Sequence, residues 1–204
     1  MATYEPKIYR KHGGAELVAA STGVITVESG GTLDAQSGAT VKLLDSASLA
    51  ATGTEINRAC DASARLVAAT GTLAVTEALH DGKIIALDTA AGSVCTLPAS
   101  SGSGAVFRFL VTVTATSNSH IIKVANATDE FRGFVFQSAS EATAPNCFWA
   151  ADNDDTITLN RSTTGLAAQG EYFEIVDAAA GVFMVRGFSQ ASGSEATPFS
   201  NTVS

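Results

Sequence analysis

Apolar residues recur along this chain with two different periods. From residue 24 to 55 the sequence divides into octads: VITVESGG, TLDAQSGA, TVKLLDSA and SLAATGTE. The second place of each holds Ile25, Leu33, Val41 and Leu49, and the fourth holds Val27, Ala35, Leu43 and Ala51. Two apolar residues two apart lie on one face of a strand. The closing Ser-Gly-Gly, Ser-Gly-Ala and Asp-Ser-Ala triplets are turn chemistry. Each octad therefore predicts a short strand with one face to bury, ended by a tight turn. Such a unit cannot cover its own stripe, and repeats of this kind stack on one another. Four octads are too few for a free-standing solenoid of one chain. The arrangement expected is a β-stem wound from three chains; a single-chain stack or hairpin, and a coincidental set of Gly-rich strands, are the alternatives.

After the octads the period changes. Thr52 and Glu55 fit a capping box, with Thr54 as a second cap. Ile56, Ala59 or Cys60, Ser63 and Leu66 or Val67 then recur at helical spacing. The pattern predicts a short helix over 54–66, placed as a three-helix junction or packed on its own head. From residue 67 onward the period is two. Strands are predicted at Thr72–Val75, Lys83–Leu87, Val94–Leu97, Ala105–Val113, His120–Val124, Phe131–Gln137, Thr156–Leu159, Phe173–Asp177 and Val182–Phe188. Turn clusters such as Asp81-Gly82 and Ser100–Gly104 separate them. Many short strands with regular turn signals predict a sandwich or barrel-like head. The expected class is mainly β. Its parts are an N-terminal docking arm (1–22), an octad-repeat β-stem (23–53), a short helix (54–66) and a β-sandwich head (67–204).

Composition narrows the function. The chain is 46% hydrophobic and only 16% charged, the reverse of a disordered chain. Twenty acidic residues against twelve basic ones give a net charge of −8, which argues against coating nucleic acid. No apolar run is long enough to span a membrane, and no apolar run follows the basic residues of the N-terminus as in a secretory signal. Cys60, Cys95 and Cys147 are too scattered for a disulfide framework and are expected as reduced thiols of a protein made in a cytoplasm. The charge is also polarised. Lys7, Arg10 and Lys11, with Tyr4 and Tyr9 among them, precede Gly13-Gly14 and an acidic body. This segment is read as an arm that orders on a partner, the alternative being a frayed terminus.

No catalytic, metal or cofactor chemistry is expected. His12, His80 and His120 lack ligand spacing, no nucleophile-elbow motif occurs, and Gly102–Gly104 lacks the Lys-Ser/Thr of a phosphate loop. Asp152-Asn153-Asp154-Asp155 is the densest set of oxygen ligands, but it does not follow the calcium-loop pattern and is read as a solvated turn. The sequons at Asn126 and Asn160 carry no weight without a signal peptide. Phe148 and Trp149, and likewise Phe131, Phe134 and Phe136, are expected in the core or a subunit contact rather than as a sugar-stacking platform. Glu77, His80 and Asp81 are expected on a loop rim.

VITVESGGTLDAQSGATVKL resembles the Gly-rich octads of tailed-bacteriophage virion proteins, and ATGTEINRACDAS resembles the helix that follows them. VTEALHDGKIIALDTAAGSVCTLPASSGSGAVFRFLV is similar to the β-domain that ends such chains. SHIIKVANATDEFRGFV and GSEATPFSNTVS resemble the same domain. The resemblance implies a homotrimer on the outer capsid surface of a virion: a head-decoration, cement or head-fibre protein whose partner is the major capsid protein. It implies neither a nucleic-acid nor a membrane partner. On this expectation Tyr4, Lys7, Tyr9, Arg10 and Lys11 grip the capsid, while Ile25, Val27, Leu33, Val41, Leu43, Ile56 and Cys60 face the trimer interface. Tail fibres and receptor-binding adhesin tips share related architectures, but four octads are short for a receptor-reaching fibre. A glycan-cleaving enzyme would need a long solenoid groove with paired carboxylates.

Overall fold

The structure is a computed structural model that describes residues 8–10, 17–19, 25–26, 28–32, 36, 56, 65–139, 145–165 and 169–203. The chain divides into two compact units, 1–52 and 53–204.

In the first unit, β1 (Ile8–Arg10) and β2 (Leu17–Ala19) pair antiparallel, with Tyr9 opposite Val18 and Arg10 opposite Leu17. The sequence pattern does not predict this pairing, since residues 1–22 show no strict periodicity. The turn expected at the end of the first octad is present: the Gly31 N–H donates to the Glu28 carbonyl at 2.8 Å. Gly30 sits at φ +84°, which glycine adopts without a Cβ clash.

The second unit is mainly β, as expected. Ile56 is helical and half-buried. Leu66, assigned by spacing to the end of the helix, belongs instead to a strand. β3 (Leu66–Ala68) runs parallel to β5 (Ile84–Leu87), so the ladder, rather than another helical turn, satisfies its backbone. The remaining strands are β4 (Thr72–Ala74), β6 (Val94–Thr96), β7 (Val106–Val111), β8 (His120–Lys123) and β9 (Glu130–Ala139). After them come β10 (Asn146–Trp149), β11 (Thr156–Leu159), β12 (Tyr172–Ala179), β13 (Val182–Ala191) and β14 (Phe199–Ser200). All nine predicted strands are present within a few residues of their expected bounds; β3, β10 and β14 are additions. The expected loop rim at 77–81 is a single helical turn, α1 (Glu77–His80), with His80 buried beneath it. The Thr76 N–H donates to His80 Nδ1 at 2.9 Å.

Two sheets form, ordered β10-β9-β13-β12-β7-β5-β3 and β14-β11-β8-β6-β4. From β3 to β8 successive strands alternate between the sheets. Each then lies parallel to the strand two before it: β3 to β5 to β7 in the larger sheet, β4 to β6 to β8 in the smaller. Parallel neighbours cannot be joined by a tight turn, and here the opposite sheet supplies the crossover. Residues 66–123 thus wind through both layers as a short coil. The rest of the chain is added around it, mostly antiparallel, with β12 and β13 inserted between β7 and β9.

One core lies between the layers. From the larger sheet it takes Ile85, Phe109 and Phe173 in one row and Phe107, Ile175 and Val185 in the next. From the smaller it takes Cys95, Ile122, Ile157 and Phe199. Phe107, Phe109, Phe131, Phe173 and Phe183 are fully buried, each worth about 1.5–3 kcal/mol of transfer free energy.

Candidate interaction face

Alternation along each strand decides which side chains leave the core, and on the larger sheet the outward set is unusually apolar. Register places Cys147, Phe136, Phe188, Tyr172 and Leu110 side by side across five strands. One pleat along lie Trp149, Phe134, Arg186, Glu174, Arg108, Ile84 and Leu66. The next row holds Arg132, Met184, Val176 and Val106. Phe134 is the hub of the aromatic part, with its ring 5.1 Å from that of Trp149 and 5.3 Å from that of Phe136. Tyr172 and Phe188 stack at 6.2 Å. Trp149 is 67% exposed, Phe188 52% and Phe136 51%. Contiguous exposed apolar clusters are a recurring feature of interaction surfaces.

Two depressions open on this face. One, of about 430 Å³, lies among Phe134, Trp149, Val176, Met184, Glu174 and Arg186. The other, of about 250 Å³, lies among Phe134, Phe136, Tyr172, Phe188 and Arg186. Phe134 and Arg186 are common to both. Charge on this face falls in two clusters: Arg132 with Glu130 and Asp152, and Glu174 with Arg108 and Arg186. Glu174 accepts from Arg108 Nε at 3.1 Å on one oxygen and from Arg186 Nε and Nη2 at 2.9 and 2.5 Å on the other. Partial burial would raise the Glu174 pKa, but the bonds from Arg186 and Arg108 outweigh it and hold the carboxyl below its ordinary value. The Tyr172 phenol is pushed up by burial and by the Glu174 charge.

Of the aromatic residues singled out in the sequence, only Phe131 lies in the core. Phe134 and Phe148 are half-buried, and Phe136 and Trp149 are exposed on β9 and the edge strand β10. Of the two places expected for them, core or subunit contact, Trp149 and Phe136 do not take the core. The signal was present in β9, where Phe131 and Val135 alternate with Phe134 and Phe136, so both faces of the strand are apolar.

The residues assigned to capsid and trimer contacts are only partly described. Tyr9 and Arg10 lie on the first strand of the N-terminal hairpin. Ile25 is 52% exposed, and Ile56 is half-buried. Tyr4, Lys7, Lys11, Val27, Leu33, Val41, Leu43 and Cys60 lie outside the described residues.

The Gly-rich loop does hold an anion, but one of the chain's own. The backbone N–H groups of Ser101, Gly102 and Ser103 donate to the Asp177 carboxylate at 3.1, 2.9 and 3.0 Å. The hydroxyls of Ser100, Ser101 and Ser103 add bonds of 3.1, 3.0 and 2.8 Å. Successive N–H groups converging on one carboxylate form an anion nest. Burial would raise the Asp177 pKa; the bonds from Gly102, Ser103 and Ser101 overcome it and hold the carboxyl far below the ordinary range.

The acidic run 152–155 is not a simple solvated turn. Asp152 pairs with Arg132, and Asp154 accepts the Ala151 N–H at 2.7 Å. Asp155 is buried and accepts the N–H groups of Thr202 and Val203 at 2.8 and 3.1 Å, which pins the C-terminal segment. Among the described residues no three His, Cys, Asp or Glu side chains are grouped as metal ligands. Both sequon asparagines are turn caps: Asn126 Oδ1 accepts the Thr128 N–H, and Asn160 Oδ1 accepts those of Ser162, Thr163 and Thr164.

No known family, curated protein or solved structure matches this chain.

Proposed function

We propose that this protein is a structural component of a phage virion: a homotrimeric decoration protein that grips the outer capsid surface through its N-terminal region and stabilises the head. The observation that carries the reading is the division of the chain at residue 52. The N-terminal unit holds the hairpin with Tyr9 and Arg10, the basic cluster and the octads that call for partner chains. The unit after it is a self-contained acidic β-head. Tyr and Arg are residue types enriched at interface hot spots. Three arms on one trimer multiply a modest single contact through effective concentration. The mechanism is mechanical: the arm and stem base hold capsomers where they meet, and the head projects.

Co-sedimentation with undecorated particles tests it. The full chain should pellet with the particles, and the binding should weaken with added salt. Deletion of residues 1–12, or reversal of Lys7, Arg10 and Lys11 to Glu, should leave a folded trimer that stays in the supernatant. Undiminished occupancy by either variant would remove the arm from the mechanism.

A further inference from the structure

The aromatic face of the larger sheet has no place in capsid gripping by the arm, and its chemistry is specific. Trp149 and Phe134 offer broad, electron-rich ring faces, 67% exposed in the case of Trp149, beside a groove of about 430 Å³. Such faces attract the weakly positive C–H groups on one side of a sugar ring. The groove is not purely apolar. Glu174 and Arg186 line it, and Arg108 stands behind Glu174.

The charge count at this point selects the ligand. Two guanidiniums share one carboxylate, so the Glu174 cluster carries a surplus positive charge in a chain whose net charge is −8, while the neighbouring Arg132 cluster, with Glu130 and Asp152, carries the opposite surplus. Arg186 holds Glu174 through Nε and Nη2 only, and its side chain is 71% exposed. Its Nη1 makes no hydrogen bond among the described residues and keeps a fork edge for a second carboxylate. The second depression, of about 250 Å³, shares Phe134 and Arg186 with the first. It is offset by one pleat, about 7 Å along the strands, which suits consecutive units of a chain better than one free sugar.

We propose that this face binds an acidic polysaccharide, with sugar rings stacked on Trp149 and Phe134 and a sugar carboxylate on Arg186. This goes beyond capsid decoration, since it gives the head a ligand of its own.

Trp149 is the sole tryptophan, so its emission reports directly on the site. The full-length protein is titrated with polygalacturonate, hyaluronate and polysialate, and with neutral dextran. At least one acidic polymer should give a saturable blue shift that weakens with salt, and dextran should bind at least about tenfold more weakly. In native gels containing the polymer that binds, Trp149→Ala and Arg186→Gln should each lose about tenfold or more in retardation, the scale of a hot-spot contact. Unchanged urea midpoints show that both variants are folded.

No response to all three acidic polymers would overturn the proposal. So would equal binding of dextran, or full retardation of Arg186→Gln. If Trp149→Ala instead changes the sedimenting mass while no polymer binds, the face is a contact between copies of the chain and the proposal is wrong. No particle is present in the assay, so its outcome is separate from that of capsid binding.

Discussion

Replacing Asp177 by Ala should be the most damaging single polar change in the head. Asp177 is 1% exposed and lies at the end of β12, where it accepts from three backbone N–H groups and three serine hydroxyls of the loop 100–103. Truncation leaves those donors without their anion. A buried donor left unpaired costs about 1–3 kcal/mol, so three N–H groups set a range of roughly 3–9 kcal/mol. Ser101, Gly102 and Ser103 are exposed, so water reaches part of the vacated nest and the low end applies. The expected loss is about 3–4 kcal/mol.

Asp177→Asn keeps one acceptor oxygen but loses the charge, and should cost about 2 kcal/mol. The carboxyl pKa is lowered in the folded state. Its contribution is therefore fully present above the unfolded-state value of about 3.9, and is lost as pH falls below it toward the folded value. Urea unfolding of the full chain, followed by far-ultraviolet dichroism at neutral pH and across the acid range, measures both effects. A cost below about 1 kcal/mol for Asp177→Ala would show that the loop holds its shape without the anion and would refute the reasoning.

Gly133 lies at φ +127°, and a Cβ there would stand 1.9 Å from the Val185 carbonyl oxygen. Gly133→Ala should cost about 3 kcal/mol or more in urea, whereas Gly193→Ala, in open space, should cost under about 1 kcal/mol. His120 is buried, with Nδ1 accepting the Ser93 N–H at 2.9 Å and Nε2 donating to the Val113 carbonyl at 3.0 Å. Burial lowers its pKa from 6.5, against smaller raising effects of Val113 and Asp88. The stability it gives is thus complete above about 6.5 and is lost as pH falls below that, so the advantage of the native chain over His120→Gln should shrink between about pH 7 and 5. Cys147 is exposed, whereas the buried Cys95 thiol is pushed up to about 12 by burial and by Asp88. A thiol reagent should label Cys147 in the native protein and Cys95 only after unfolding; equal rates, read by mass spectrometry of peptides, would contradict the packing.

The strands were readable wherever one face is buried and the run is long enough to alternate, as in Phe107, Phe109 and Val111. β3 is missed because Leu66 and Val67 also fit the helical spacing that starts at Ile56, β14 because two residues cannot display a period, and β10 because both of its faces carry large side chains. The parallel winding of β3 to β8 was not readable at all. Strand pairing joins residues about twenty positions apart, and nothing local encodes which edge a strand chooses. The anion nest was half readable. The Ser-Gly loop was visible, and Asp177 follows Phe173 and Ile175 on the inward face of its strand, where an acid must find donors. Its partners lie about 75 residues away. Residue type favours burial or a subunit contact for Trp149, but its place in an outward row on an edge strand exposes it.

Where the protein sits on a particle tests the decoration reading most directly. Electron microscopy of purified virions, with the chain labelled at its C-terminus, resolves both site and copy number. Decoration predicts many copies in three-fold clusters over the head surface, lost together when residues 1–12 are deleted. A few copies confined to the tail tip would contradict it and make the protein a fibre.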